Sequence, residues 1–216
     1  MRGRWRDAAK NDKESGLWRI KTESKEIATK RLLLRKLQKK DCGFFYKLLS
    51  NQEVNRFLPW FPVKSMGETE QFLKERYLTV YEKGQGYAYV ICLKETGTPV
   101  GYVNISGEES HDLGYGLARQ YWNQGIVTEA CHGLIQRVKQ EGLPYITATH
   151  DRENIPSGKV MRKLGMSYQY SYEEQWQPKN YKVIFRMYQL NFTMPKEWRY
   201  DRYWKESQIH FVEEEL

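Results

Sequence analysis

The chain has 216 residues, of which 40% are hydrophobic, 14% aromatic and 29% charged, which suits one domain with a real core and extensions at its ends. No stretch approaches ~18 uninterrupted apolar residues, so a transmembrane helix is excluded, and the charged N-terminus lacks the apolar segment of a secretory signal. The net charge of +8 favours an anionic partner: nucleic acid, a membrane surface or a phosphorylated cofactor.

The first 26 residues mix Lys, Arg, Glu, Ser and Asn without a regular apolar stripe, so residues 1–26 are predicted to be a flexible basic arm. Regular structure is expected from Ile27, where "IATKRLLLRKL" predicts a strand. Asp41 is a plausible N-cap for the helix that follows. The helix is supported by apolar residues that share one side at helical spacing, namely Phe44, Phe45, Leu48 and Leu49.

"SNQEVNRFLPWFPV" predicts a loop, because it contains two prolines. Ser65 and Glu68 form a possible capping box for a second helix, which residues 83–86 end. "GYAYVICLKE" and "PVGYVNIS" predict a hairpin with Gly97 and Pro99 in its turn. "HDLGYGLA" predicts a third strand.

From residue 127 the apolar period becomes helical, so a helix is predicted over 127–141. "PYITATH" predicts a short buried strand, and "NIPSGKVMRKLG" a helix that ends at Gly165. Two last strands, "MSYQYSYEEQWQ" and "KVIFRMYQLNF", complete the order β-α-α-β-β-β-α-β-α-β-β. This interleaving indicates one α/β (α+β) domain around a single mixed sheet.

Residues 193–216 are predicted to be a C-terminal helical extension. Four aromatic residues would share one face of it and pack on the domain, or else form a dimer contact or a lid: Tyr200, Tyr203, Trp204 and Phe211.

The three cysteines, Cys42, Cys92 and Cys131, have wide spacings that match neither a disulfide framework nor a metal-ligand pattern. We expect reduced thiols in or near the core, because free cysteine usually behaves as a small buried hydrophobic residue. The sequence therefore predicts no metal and a cytoplasmic location.

"YWNQGIVTEA" places Gly125 just before a predicted helix, with Thr128 in the first turn. The first backbone N–H groups of a helix have no intrahelical partners, and its dipole favours an anion there. The segment is therefore a candidate phosphate cradle, or a turn alone. A second signature, "NIPSGKVMRKLGM", follows at residues 154–166.

Four stretches together resemble the GNAT superfamily of acyl-CoA-dependent N-acyltransferases: "ATKRLLLRKL", "SNQEVNRFLPW", "LGYGLARQYWNQGIVTEA" and "NIPSGKVMRKLGM". Within it they are most similar to the branch that includes the ribosomal-protein N-terminal acetyltransferases. The resemblance covers roughly residues 27–192. It implies a single domain with a mixed, splayed central sheet flanked by about four helices.

The resemblance implies direct transfer of an acetyl group from acetyl-CoA, as co-substrate, to a primary amine of a protein N-terminus or a small molecule. A non-catalytic acyl-CoA sensor on the same fold is the alternative. A nucleic-acid partner is not favoured, because no helix-turn-helix, zinc or RNA-recognition signature is present. No membrane partner is expected, and the protein would be a monomer or homodimer.

In that family the turn at 122–127 holds the pyrophosphate of coenzyme A, and the strand at 113–118 pairs with the pantetheine arm. Gly114 and Gly116 would leave room for that arm, or mark a bulge. Val127 stands where a small residue is usual, so we expect its side chain to turn into the core. By resemblance, coenzyme binding is assigned to Tyr115, Leu117, Ala118, Trp122, Asn123, Gln124, Gly125, Ile126, Val127, Thr128, Asn154, Ser157 and Lys159.

Chemistry requires a base to deprotonate the amine and an acid to protonate the departing thiolate. The resemblance assigns Ser157 as the acid, with Asn154 beside it; a simple helix-start serine is the alternative. Many relatives have a tyrosine acid where this chain has Met161. For the base, Glu174 is preferred to Glu173, because adjacent strand residues face opposite sides.

His111 and His150 are alternative bases, since histidine titrates near neutral pH. Lys159 and Arg162 would reach the adenosine phosphates or form a solvated face. The "FLPWFP" loop matches one that shapes the acceptor pocket. It assigns substrate binding to Phe57, Trp60 and Phe61, unless these are core aromatics.

Overall fold

A computed structural model describes residues 25–214, so nearly all of the predicted basic arm lies outside the described residues. The strands are β1 Ile27–Ala28, β2 Leu32–Arg35, β3 Tyr87–Leu93, β4 Pro99–Ile105, β5 Leu113–Leu117, β6 Tyr145–Asp151, β7 Ser167–Trp176, β8 Tyr181–Asn191 and β9 His210–Phe211. The helices are α1 Cys42–Ser50, α2 Met66–Leu73, α3 Thr79–Lys83, α4 Ile126–Gln140, α5 Ile155–Lys163 and α6 Arg202–Glu206.

The strands form two antiparallel sheets, in the orders β1-β2-β3-β4-β5 and β6-β8-β7-β9. In the described chain the two sheets meet through an isolated parallel bridge between Asp112 and Thr147. The Thr147 hydroxyl donates to the Asp112 carboxylate over 2.9 Å, which fixes this junction. Beyond it β5 and β6 separate, so the predicted splayed sheet is confirmed and a cleft opens between the strands.

The first strand prediction was too long. Ile27 pairs with Leu34, so "IATKRLLLRKL" folds back on itself as β1 and β2. The Thr29 N–H donates to the carbonyl of Leu32 over 2.9 Å, and this bond closes the turn.

Helices cover both faces of the first sheet. Helices α1, α2 and the turns after them pack with Val90 and Tyr102 on one face, whereas α4 and α5 pack on the other. The stripe predicted for α4 is confirmed, since Cys131, Leu134 and Val138 are fully buried. Cys92 is also buried and Cys42 is half-buried, both with free thiols, as predicted.

Two predicted helix caps differ from expectation. Asp41 stands at the start of α1 but does not cap it, because its carboxylate pairs with Arg35 at 2.7 Å on both oxygens. Ser65 caps α2 by accepting from the Glu68 N–H. The Glu68 carboxylate accepts from the Lys64 N–H instead of that of Ser65, so the capping box is half formed.

The predicted C-terminal helix is wrong. Within residues 193–214, the part of this extension that the structure describes, only the five residues of α6 are helical, and Phe211 lies in β9, which pairs with β7. The predicted packing on the domain is confirmed, because Tyr200 and Tyr203 are buried against the second sheet. Across residues 25–214, no helix has the length and apolar character needed to cross a membrane.

Candidate active site

The splay between the two sheets forms a cleft of about 3060 Å³. Its walls come from the loop before α2, the α2–α3 segment, strands β4, β5 and β7, and the starts of α4 and α5. Most of the predicted site residues line it, including Tyr115, Gly125, Asn154, Ser157 and Glu174. The folded chain thus brings together predicted motifs that are well separated in the sequence.

The turn before α4 has the backbone that a phosphate cradle needs. Asn123 and Gly125 have left-handed backbone, with φ of 59° and 72°, a conformation that glycine adopts without cost. The first helical bond runs from the Glu129 N–H to the Gly125 carbonyl over 3.0 Å, and no side chain caps the helix. Amides at such a helix start suit an anion, so these residues fit the pyrophosphate of coenzyme A.

Arg31 stabilises this turn by a contact that the sequence analysis did not predict. Its guanidinium donates to the carbonyl of Gln124 over 3.0 Å and to the Glu129 carboxylate over 2.6 Å. Burial would raise the pKa of Glu129, but hydrogen bonds from Thr29 and Arg31 outweigh burial and lower it. No local signal reveals this contact, because Arg31 and Glu129 are 98 positions apart.

The Val127 side chain is partly buried and packs on the main core cluster, as predicted, and Val127 also lines the cleft. Two other assigned residues lie off the lining of the cleft: the Ala118 N–H donates to Val100, and the Gln124 side chain donates to Gln120. The Ala118 N–H therefore extends the pairing of β5 with β4, and the Gln124 side chain holds the turn.

Gly114 and Gly116 are explained by packing within the sheet. A Cβ at Gly116 would lie 2.4 Å from the ring of Tyr102, and one at Gly114 would lie 2.9 Å from the side chain of Asn104. The β4–β5 register runs without a shift, so there is no bulge. The glycines leave room for the Tyr102 and Asn104 side chains on the face that carries α1–α3.

Ser157 lies in the first turn of α5, and its side chain contacts Tyr115 of β5. The Tyr115 phenol donates to the Ser157 carbonyl over 3.0 Å and lies 2.8 Å from the Ser157 hydroxyl. Burial raises the pKa of Tyr115 far above its ordinary value, so the phenol stays protonated. Met161 is fully buried one turn later. Tyr115 therefore supplies a phenol close to Ser157 from another element.

Asn154 precedes α5, and its carbonyl accepts from the Ser157 N–H over 3.1 Å. Lys159 and Arg162 are both exposed. Their positions are therefore compatible with a solvated helix face and with contacts to the adenosine phosphates.

The indole N–H of Trp122 donates to the Leu117 carbonyl over 2.8 Å. That bond fixes the direction in which the chain leaves β5.

The two candidate carboxylates border the cleft from β7, on opposite faces of that strand as alternation requires. Glu173 forms an ion pair with Lys182 at 2.8 Å. Glu174 shares its strand face with Tyr172 and Trp176. The preference for Glu174 as the base remains consistent with this geometry.

Both histidines are poor candidates for the base. Burial lowers the pKa of His111 and lowers that of His150 to about 4. The ring of His150 lies against the backbone of α5, where a Cβ on Gly158 would approach its Nε2 to 2.7 Å. A weakly basic, covered imidazole would not readily remove a proton from an amine.

The "FLPWFP" loop splits into inward and outward residues. Phe57 and Trp60 line the cleft, and the Trp60 indole N–H donates to Asn55 over 3.0 Å. Phe61 is 57% exposed and lies off the lining, so its predicted substrate contact is not supported. The anchored indole takes the inward position, which turns the next side chain to solvent.

A family model described as an acetyltransferase (GNAT) domain matches residues 31–167, which is more than half of the chain and lies inside the predicted domain, 27–192. The chain belongs to the GNAT acetyltransferase family. Among curated relatives, the N-acetyltransferase YnaD of Bacillus subtilis (strain 168) is 29% identical over 144 residues, which span 65% of this chain and 81% of YnaD.

Solved GNAT structures share the fold. A GNAT-family acetyltransferase from Bacillus anthracis has a TM-score of 0.69 at 22% identity and covers 79% of this chain and 100% of its own. RimL, the ribosomal L7/L12 α-N-protein acetyltransferase, in complex with coenzyme A, has a TM-score of 0.68 at 18% identity, with 78% and 99% covered. The predicted family is confirmed, and this GNAT protein is an acetyl-CoA-dependent N-acetyltransferase.

Proposed function

We propose that this GNAT enzyme acetylates a primary amine, of a protein N-terminus or a small molecule, that enters the cleft from the face carrying α1–α3. The observation that carries the proposal is the contact between Ser157 and Tyr115 beside the splay. Acetyl-CoA, when bound, supplies the acetyl group as an activated thioester. The helix-start amides of α4 would hold its pyrophosphate.

Glu174 is the proposed base. It lines the cleft from the same sheet face as Tyr172, opposite the paired Glu173. An amine must lose a proton to attack, since an α-amine has a pKa of about 8 and a lysine amine about 10. Glu174, directly or through water, would accept that proton as the C–N bond forms.

Ser157 is the proposed acid, and Tyr115 the residue that positions it. The phenol has one hydrogen. While it donates to the Ser157 carbonyl, its oxygen can accept from the serine hydroxyl; when it donates to the hydroxyl oxygen instead, the serine hydrogen can point into the cleft. Ser157 would then protonate the thiolate as the C–S bond breaks, and regain a proton from solvent.

The test is acetyl-CoA turnover with a broad panel of amines, followed as thiol release. We expect release that depends on the amine and falls in Glu174→Gln. Tight coenzyme binding without thiol release, for every amine, would support the non-catalytic sensor instead. Glu173→Gln offers a matched control on the same strand, because it removes the neighbouring carboxylate and keeps both proposed proton-transfer groups.

A further inference from the structure

One cation of the cleft is held in an unusual setting. Arg76 lies within the π-helical turn Lys74–Leu78 that joins α2 to α3, and its side chain lines the cleft. Single π turns recur at functional sites. Here the turn sends Tyr77 into the core, where it is 4% exposed, and leaves Arg76 on the cleft side.

Two aromatic rings contact the guanidinium. Its central carbon lies 4.7 Å from the ring centre of Trp60 and 5.1 Å from that of Phe72. These rings pack edge to face at 5.0 Å, and Trp60 is itself anchored by Asn55. Aromatic rings attract a cation through their faces, whereas a carboxylate is bound in the plane of the guanidinium N–H groups. The two rings therefore hold the cation in place by contacts different from those that an anion would make.

The surroundings strengthen attraction for an anion. Burial lowers the pKa of Arg76, although arginine stays charged at neutral pH, and a desolvated charge interacts more strongly than one in water. Lys179 adds a cation behind the loop that carries Trp60, where it donates to the Asn55 and Arg56 carbonyls at 3.2 and 3.1 Å. Arg56 is exposed on the same loop, so solvent screens its charge and it adds little to this attraction. Glu75 is the acidic neighbour that opposes this field.

Arg76 and the proposed reaction centre border the same cleft. Arg76 packs on Trp60 and Phe72, on the α1–α3 side of the first sheet, where the Tyr102 ring lies over Gly116. Tyr115 packs on the other side with α4 and α5, where it contacts Ser157. The cleft thus presents a cation at Arg76 and a carboxylate at Glu174.

We infer that the acceptor is a primary amine that also carries a carboxylate, which Arg76 binds while the amine reaches the thioester. This inference rests on the proposed function and names its substrate class. An ammonium end suits Glu174, and a carboxylate end suits the guanidinium of Arg76. The carboxylate belongs to a free amino acid or to an acidic residue beside a peptide N-terminus.

The experiment compares kcat/KM for matched acids and amides: glycine with glycinamide, β-alanine with its amide, and 4-aminobutyrate with its amide. Each pair is measured with the wild type and with Arg76→Gln. We expect the variant to lose roughly 10–100-fold on at least one acid, mainly through KM, because charge-assisted hydrogen bonds contribute that much. The amides should change by less than about 3-fold, within the effect of removing a weakly coupled charge. Dividing the acid-to-amide ratio of kcat/KM in the wild type by the same ratio in the variant removes differences in amine reactivity.

Arg56→Gln is the matched control, since it removes an exposed cation of the same cleft. It should affect each acid and its amide equally. Arg76→Lys keeps the charge but not the planar, forked guanidinium. Its kcat/KM on the acids should lie between those of the wild type and Arg76→Gln. Pentapeptides with Glu or Gln at position two separate the two sources of the carboxylate. A preference for the Glu peptide that Arg76→Gln abolishes assigns the carboxylate to a peptide. If Arg76→Gln lowers kcat/KM for the small acids but not for the Glu peptide, the carboxylate belongs to a free amino acid.

If Arg76→Gln does not fold, inhibition of the wild type by glutarate and by glutaramide replaces it. Competition by glutarate alone supports the inference, and equal inhibition overturns it. Turnover with the same acid-to-amide ratio in wild type and Arg76→Gln overturns the role of Arg76 and leaves the proposed function intact. Absence of thiol release with every amine overturns the proposed function and this inference with it.

Discussion

At the residue scale, the hydroxyl groups of Ser157 and Tyr115, which contact each other, have different proposed roles. Ser157→Ala removes the proposed acid, and we expect kcat to fall by about 100-fold, at the lower end of general acid catalysis. Tyr115→Phe keeps the ring and should lower kcat by roughly 10-fold, because it only positions the serine.

The measurement is the pH dependence of kcat with an unchanged amine. A merely structural role for Tyr115 would lower thermal stability without altering the pH profile of the remaining activity. Ser157→Thr, which keeps a hydroxyl, should recover part of the loss. Full activity in Ser157→Ala would remove this residue from the chemistry.

A second prediction at the residue scale concerns Gly116 and the free energy of unfolding. In Gly116→Ala the new Cβ would lie 2.4 Å from the Tyr102 ring, and such overpacking costs about 1–3 kcal/mol of unfolding free energy. The same change in a Tyr102→Ala background should cost less than about 0.5 kcal/mol, since the clash is gone. Gly43→Ala is the control, because a Cβ at that position would meet nothing within 4 Å. Equal costs in both backgrounds would contradict the packing explanation, and denaturant titration measures them.

At the element scale, strand β9 is held by an ion pair between Glu213 and Arg186. Arg186 Nε donates to Glu213 over 2.9 Å, the Ser171 hydroxyl donates over 2.6 Å, and a further Arg186 nitrogen also binds the carboxylate. The Arg186 hydrogen bonds lower the pKa of Glu213, and burial opposes them only in part. The pair therefore fixes the chain end to the second sheet.

Because the pKa of Glu213 is lowered, the stability that its pair with Arg186 contributes should depend on pH. A carboxyl group with a folded pKa below its unfolded value stabilises the protein above the unfolded pKa and loses that contribution as the pH falls through the folded one. Glu213→Gln should cost about 1–3 kcal/mol at pH 7, and the difference from the wild type should shrink below about pH 4. Urea titration across pH measures it. Glu206→Gln, in an exposed pair with Arg202, should stay within about 0.5 kcal/mol at both pH values.

At the scale of the whole molecule, the segment after β8 completes a third aromatic core. Tyr203 stacks on Tyr172 at 5.3 Å and contacts Tyr200 at 5.1 Å. Tyr172 lies in β7 beside Glu173 and Glu174, so this core supports the strand that carries the proposed base. The extension is part of the catalytic domain's structure.

Tyr203→Ala should therefore destabilise the protein by about 3–5 kcal/mol, the usual cost of deleting a buried aromatic ring. For a chain of this length the melting temperature would fall by roughly 6–20 °C, as read by calorimetry. Lys205→Ala, on an exposed side chain of the same short helix, should leave it within about 2 °C, as most surface substitutions do. A melting temperature unchanged in Tyr203→Ala would show that the segment is not part of the core.

Much of the element order was predictable, because the deciding signals are local. The apolar stripe of α4, the turn residues of the β3–β4 hairpin and the glycine at residue 165 act within a few positions of the elements they define. The errors also have local causes. "IATKRLLLRKL" reads as one strand because its turn is closed by Thr29, which has no strong turn signal. The C-terminal aromatics suit a helical face, but backbone pairing with β7 draws Phe211 into a strand.

The family, the element order and the glycine turn before α4 follow from the order of the amino acids, because each rests on neighbouring residues whose backbone preferences agree. Which side chains meet is known from the folded chain. It placed Tyr115 against Ser157, Arg31 against Glu129, and the Tyr102 ring over Gly116. The reason is that these contacts join elements distant in sequence, and their distances depend on how two sheets separate after the Asp112–Thr147 bridge.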